Sequence, residues 1–283
     1  MAPATARTVG VLALVVVVLI ALGLGLYFWL RGHELTAPVP GQQRCVATAS
    51  NHSVVIDLDQ AHYTSIIVGL SVKRRLAPRA ASIAMATVYQ ETGIRNLDHG
   101  DRDSVGLFQQ RPSQGWGTAK QLQDPYYATG KFYDALVKIK NWETDDINDV
   151  AQKVQRSGYP EAYRDHEADA RVLASTLTGH SPAGLSCLER EGNPGRAAAL
   201  VKSIEKTFGK VSDQIENKVI TIDADSDALA WAYASHALAN SKLYGVVLIK
   251  VSGRQWQTEV FNLPTWTGST PALDSSRVEI TVR

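Results

Sequence analysis

The chain has 283 residues, with 29 Lys and Arg set against 28 Asp and Glu, for a formal net charge of +1. That length has room for one sizeable domain and a small one. So balanced a charge carries no polybasic footprint, which argues against nucleic acid as a partner.

Residues 1–10 are expected to be a short cytoplasmic head. Val11 to Leu30 is an uncharged run of about 20 residues, enough to cross a bilayer core as a helix. Tyr27, Phe28 and Trp29 fall where an interfacial aromatic belt would, and Arg31 closes the run. A cleaved signal peptide is the competing reading, but the apolar stretch exceeds a signal core and no small-x-small site precedes Arg31. Arg7 on one side and Arg31 and Arg44 on the other leave the positive-inside rule almost balanced. Cys45 and Cys187 bracket the central region and read as a disulfide in an oxidising compartment, with two unrelated buried thiols as the alternative. Together these features give the expectation of a single-pass cell-membrane protein with its bulk outside the cytoplasm.

Residues 31–53, with Pro38, Pro40 and Gly41, read as a tether. A helix is expected over Gln60 to Arg75 with Asp59 as its N-cap. Pro78 opens the next in the favoured first-turn position. Along it Ala81, Ala84 and Val88 recur at three- and four-residue spacing, and Glu91 falls next on that stripe before Gly93 ends the helix. Asn96 to Ser104 is loop. Asp124-Pro125 caps and starts a helix through Tyr133 and Leu136. Asp145 or Asp146 caps another through Val150 and Val154. After Gly158-Tyr159-Pro160 a long helix carries Tyr163, His166, Ala170, Leu173 and Leu177. Residues 54–180 therefore read as a mainly α domain, and residues 181–195, rich in Pro and Gly, as a linker. Residues 196–283 read as a small α+β domain. Its helices are expected over Ala197 to Phe208 and Ser226 to Ser241, and its strand over Val219 to Ile222. A hairpin turning at Gly253-Arg254 and a last strand over Arg277 to Val282 complete it.

Glu91 to Pro112 reads ETGIRNLDHGDRDSVGLFQQRP. Glycosidic bonds break when a carboxylic acid protonates the leaving oxygen, and that acid needs an apolar setting that raises its pKa. Glu91, on a buried stripe, suits that role; a helix-end Glu making a surface contact is the plainer reading. Glu91-Thr92 followed by Gly106-Leu107-Phe108-Gln109-Gln110-Arg111-Pro112 resembles the signature of the transglycosylase domain of the lysozyme-like superfamily, found in soluble lytic transglycosylases. The string from Gly100 to Thr118 is also similar to that of a subgroup in cell-wall-associated actinobacterial proteins. The resemblance covers about residues 60–178.

The resemblance implies an enzyme that cleaves MurNAc–GlcNAc linkages of peptidoglycan with Glu91 as single general acid and base, and the apolar run, outside the resemblance, adds the expected membrane anchor. It implies that Phe108, Gln109 and Gln110 line the sugar groove. A hydrolase would instead need a second carboxylate, for which Asp98, Asp101 and Asp103 are candidates. Three positions depart from the family pattern. Its loop serine falls at Gly100, its Gly-Ala pair at Asp103-Ser104, and its later Tyr-Asn-Ala-Gly motif is replaced by Val154 to Tyr159, where Gln155 and Tyr159 are the candidate substitutes. Those departures keep open a second expectation: a non-catalytic lysozyme-like module that binds glycan or docks a cell-envelope complex. Trp116 stacks on a sugar or pins its loop to the core. The Asp98 to Asp103 cluster lacks EF-hand order, so neither metal nor cofactor is expected. The C-terminal domain is the candidate surface for other envelope proteins, with Trp231, Tyr233, Trp256 and Trp266 as its small core or, alternatively, as a glycan-binding platform.

Overall fold

In the computed structural model, residues 42–159 and 161–283 are described, and they belong to one compact unit. The expected span at Val11 to Leu30 lies outside the described residues. Among the described residues no helix is long and apolar enough to cross a membrane.

Over the described residues the architecture is mixed α/β with two antiparallel sheets, which corrects the expectation of a mainly α domain followed by a small α+β one. The first sheet explains much of the difference. Strands β1 (Arg44–Ala49) and β2 (His52–Ile56) lie where a tether was expected, and β3 (Leu185–Leu188) lies in the expected linker. They pair in the order β2-β1-β3. Alternation drives the burial, with Cys45 and Ala47 inward from β1 and Val54 and Ile56 inward from β2. Ser50 and Asn51, both at positive φ, make the two-residue hairpin turn whose twist suits right-handed strands. Cys45 pairs directly with Cys187 across β1 and β3, and the two form the expected disulfide.

Helix α1 (Leu58–Lys73) begins two residues earlier than the spacing suggested. Its N-cap is Asp57, not Asp59, because Asp57 and Gln60 form a reciprocal capping box. Helix α2 (Pro78–Thr92) runs as expected from its first-turn proline to Gly93 in the left-handed conformation. After the short α3 (Ala119–Leu122), α4 (Pro125–Leu136) takes its cap from Asp124 and α5 (Ile147–Gln155) from Asp146. The next helix, α6 (Glu167–Leu177), starts later than expected, and Tyr163 and His166 belong to the turn before it. Helices α2 and α6 pack together along the core, and both bury small residues such as Ala80, Ala84 and Ala170.

The C-terminal part adds α7 (Ala197–Phe208), β4 (Ser212–Glu216), β5 (Val219–Asp223), α8 (Asp227–Ala239) and the short α9 (Ser241–Tyr244). It ends with β6 (Val246–Val251), β7 (Arg254–Gln257), β8 (Thr267–Gly268) and β9 (Arg277–Val282). These strands form one sheet in the order β4-β5-β9-β6-β7-β8. The β6–β7 hairpin turns at Ser252-Gly253, one residue before the expected place.

The helical and C-terminal parts share a core. Gly69 of α1 lies so close to α7 that an added Cβ would sit 2.3 Å from Thr207 Cγ2. Trp256, fully buried, donates its indole N–H to Ser186 Oγ on β3 at 3.0 Å, and Trp266 donates to the Leu185 carbonyl at 2.7 Å. So β3 is clamped on one side by the disulfide and on the other by the two tryptophans.

Candidate functional site

The site is assembled at the C-terminal end of α2. The stripe of Ala81, Ala84 and Val88 is fully buried, and Glu91 continues it at the last turn, where the helix leaves the core. Its side chain is half-buried. The next residue, Thr92, ties this end to the Gly106–Gln110 turn by donating its hydroxyl to the Leu107 carbonyl at 3.0 Å. The turn closes with Val105 N–H donating to the Gln110 carbonyl at 3.1 Å. Gly106 sits at φ 79 with an added Cβ falling 2.3 Å from the Leu122 carbonyl oxygen, so only glycine fits there.

Two donors hold the Glu91 carboxyl. Tyr163 gives its hydroxyl to Glu91 Oε1 at 2.8 Å, and Gln155 gives its amide Nε2 to the same oxygen at 3.2 Å. Gln155 Nε2 also reaches the Phe108 carbonyl at 2.8 Å, so one amide joins α5, the Gly106–Gln110 turn and the carboxyl. Burial raises the Glu91 pKa above its ordinary value, and the hydrogen bonds from Tyr163 and Gln155 draw it part of the way back. The Tyr163 hydroxyl is pushed up by its own burial and by the Glu91 charge, so it stays protonated and donates.

This pairing yields a testable result. Tyr163→Phe removes one hydrogen bond that favours the carboxylate, so the Glu91 pKa is expected to rise further. If Glu91 works as an acid, the alkaline limb of the pH–rate profile moves to higher pH in that variant. A limb that stays in place or moves to lower pH would contradict the coupling.

The residues expected around Glu91 divide sharply. Phe108 is 0% exposed and stacked on Phe132, with ring centroids 4.6 Å apart, so its side chain belongs to the core and does not line a groove. Gln110 is also buried, its amide donating to the Ala128 carbonyl at 3.2 Å. Gln109 is half-buried and holds the loop, donating to the carbonyls of His99 and Gly106 at 3.2 Å each. Trp116 packs partly buried against the core, and its carbonyl accepts from the Tyr127 hydroxyl at 3.3 Å, which favours the pinning role. Tyr159 is 76% exposed, and its backbone N–H bonds to Ser157. Of the two candidate substitutes, then, Gln155 touches Glu91, whereas the tyrosine that does so is Tyr163, four residues on.

Because Phe108 is core, Phe108→Ala is expected to cost about 3–5 kcal/mol of stability, as large-to-small changes of buried aromatics do. Chemical denaturation measures this directly. A variant of unchanged stability would return Phe108 to the groove.

The three candidate second carboxylates have separate fates. Asp98 and Asp101 are exposed, the first paired with His99 at 2.8 Å, whose hydrogen bond lowers its pKa. Asp103 accepts from Arg111 Nε at 2.8 Å and from the backbone and hydroxyl of Ser113 at 2.7 and 3.0 Å. Those bonds hold its carboxyl well below the usual range and make it a staple between the loop and Arg111. Among the described residues no group of three or more His, Cys, Asp or Glu side chains could hold a metal ion.

No family model matches the chain. No curated protein matches it either.

Proposed function

We propose that the chain cleaves the glycan strand of peptidoglycan in the manner of a lytic transglycosylase, with Glu91 as single general acid and base. The observation that carries this reading is a half-buried carboxyl of raised pKa, at the end of an apolar helix, steered by two neutral donors. In this scheme Glu91 gives its proton to the glycosidic oxygen as the C1–O bond breaks. The carboxylate then takes the proton of the muramyl 6-hydroxyl while that oxygen bonds to C1. The product is a 1,6-anhydro sugar, no water is consumed, and Glu91 is returned protonated. Tyr163 and Gln155 orient the carboxyl and hold the charge it acquires between the two steps. The exposure of Asp98 and Asp101 and the stapling of Asp103 favour this scheme over hydrolysis, which requires a carboxylate that positions water. In this reading the chain acts outside the cytoplasm, where the Cys45–Cys187 disulfide persists.

A non-catalytic glycan-binding or docking module is the competing reading, favoured by the burial of Phe108 and Gln110, which leaves fewer side chains to grip a sugar. Incubation with purified peptidoglycan and mass spectrometry of the soluble fragments separates the two. Anhydro-muropeptides support the transglycosylase, reducing-end sugars would replace it with a hydrolase, and binding without release would leave the docking module.

A further inference from the structure

A groove of about 460 Å³ opens at the opposite end of the same helix, within the roughly 300–1,000 Å³ of small-ligand sites. Arg79 and Ser82 of α2 line it, with small apolar wall residues including Ala49, Pro78 and Val172. Arg79 lies twelve positions before Glu91, or about 18 Å at helical rise, so the groove is separate from the cleavage chemistry and does not depend on it.

Four cationic or titratable groups line this groove: His52, Arg79, Arg171 and His180. Arg171 is matched by Glu167 at 2.6 Å and His52 by Asp169 at 2.7 Å, while His180 bonds to the Thr178 hydroxyl at 2.9 Å. Arg79 differs. Its guanidinium donates to the Asp145 carbonyl and meets no carboxylate among the described residues, and its buried Nε has no hydrogen-bond partner. Ser82 is 6% exposed, faces the groove and makes no side-chain hydrogen bond among the described residues. The helix start itself adds positive potential, because Ala77 supplies no side-chain cap and the first turn holds no acidic residue.

We propose that this groove binds an oxyanion head, a carboxylate or a phosphate, joined to a small apolar body, with Arg79 and Ser82 holding the oxygens. Among the described residues, a cation that meets no carboxylate, a serine hydroxyl without a protein partner and a helix start without a side-chain cap come together at this groove, beside small apolar walls.

The test titrates the full-length protein with N-acetyl-Ala-Ala, with its C-terminal amide, and with inorganic phosphate, following backbone amide resonances of residues 79–82. The acid peptide is expected to saturate shifts there, with the amide form weaker by at least about tenfold, the worth of a charge-assisted hydrogen bond. Arg79→Gln and Ser82→Ala are expected to weaken binding, Ser82→Ala without moving the thermal midpoint, and Arg79→Lys to retain part of it. If Arg79→Gln fails to fold, Ser82→Ala and the acid-against-amide comparison still decide. Saturation by phosphate with the peptide silent would support the site and identify a phosphate source. No saturable shift with either anion, or equal affinity for acid and amide with phosphate silent, would overturn the proposal. Glu91→Gln should bind as wild type does, so failure at Glu91 and failure here are distinguishable.

Discussion

Glu91→Gln is expected to reduce release of anhydro-muropeptides by about 10²–10⁴-fold, the usual contribution of a positioned general acid or base, while making the protein more stable at neutral pH. Both effects have one cause. A glutamine keeps an oxygen to accept from Tyr163 and Gln155, so the local bonding survives, but it has no proton to give. It also carries no charge into a desolvated place. The folded-state pKa of Glu91 is raised, so the folded protein holds that proton to higher pH than the unfolded chain does. The carboxyl therefore costs stability above its raised folded value, and the cost fades as pH falls toward the ordinary carboxylate value. The gain from Gln should be about 0.5–2 kcal/mol, the usual range of a single stabilising substitution, and should vanish in acid. Denaturant titrations at neutral and acidic pH measure it. A variant less stable than wild type at neutral pH would show that Glu91 is a structural residue and would favour the docking module.

The largest expected effect on stability comes from the disulfide. Cys45 and Cys187 are 142 positions apart, and a cross-link of that span removes about 5 kcal/mol of unfolded-state entropy in the chain-entropy model. Domains of ordinary size hold only about 5–15 kcal/mol in total. Changing both cysteines to serine is therefore expected to remove a third or more of the stability, read as a lower urea midpoint. The loss should not stay local. The disulfide fixes β1 to β3, and β3 carries the Ser186 hydroxyl and Leu185 carbonyl that Trp256 and Trp266 bond, so the link between helical and C-terminal parts loosens as well. A midpoint unchanged by reduction would mean that strand pairing and the tryptophans hold β3 unaided.

The elements legible in the sequence were those whose start and stop signals are local. Pro78 with Gly93 and Asp124-Pro125 each mark a helix end within a few residues, and the structure has helices at those places. Strands β1 and β3 were not legible, since they are short, rich in polar or small residues, and pair with each other across about half the chain. No local signal announces such a partner. Glu91 stood out because it extends an apolar stripe. Gln155 stood out only as a candidate, and Tyr163 not at all, since an aromatic in helical register looks like core until its hydroxyl is seen to point at a carboxyl. Phe108 misled for the opposite reason: a residue in a sugar-cleaving signature proved to be stacked on Phe132. The Arg79 groove carries no motif, because its parts come from the β1–β2 hairpin, α2, α6 and the turn after it.

The proposed role of Glu91 is that of an acid whose surroundings raise its pKa above the ordinary carboxylate range. Its most direct test is fragment release from purified peptidoglycan, followed across pH for wild type and Glu91→Gln at matched foldedness. The expected result is anhydro-muropeptide release by wild type that falls on an alkaline limb above the ordinary glutamate value, with the variant near background at every pH. Release that Glu91→Gln sustains at the wild-type rate, or no release by wild type at any pH, would contradict it.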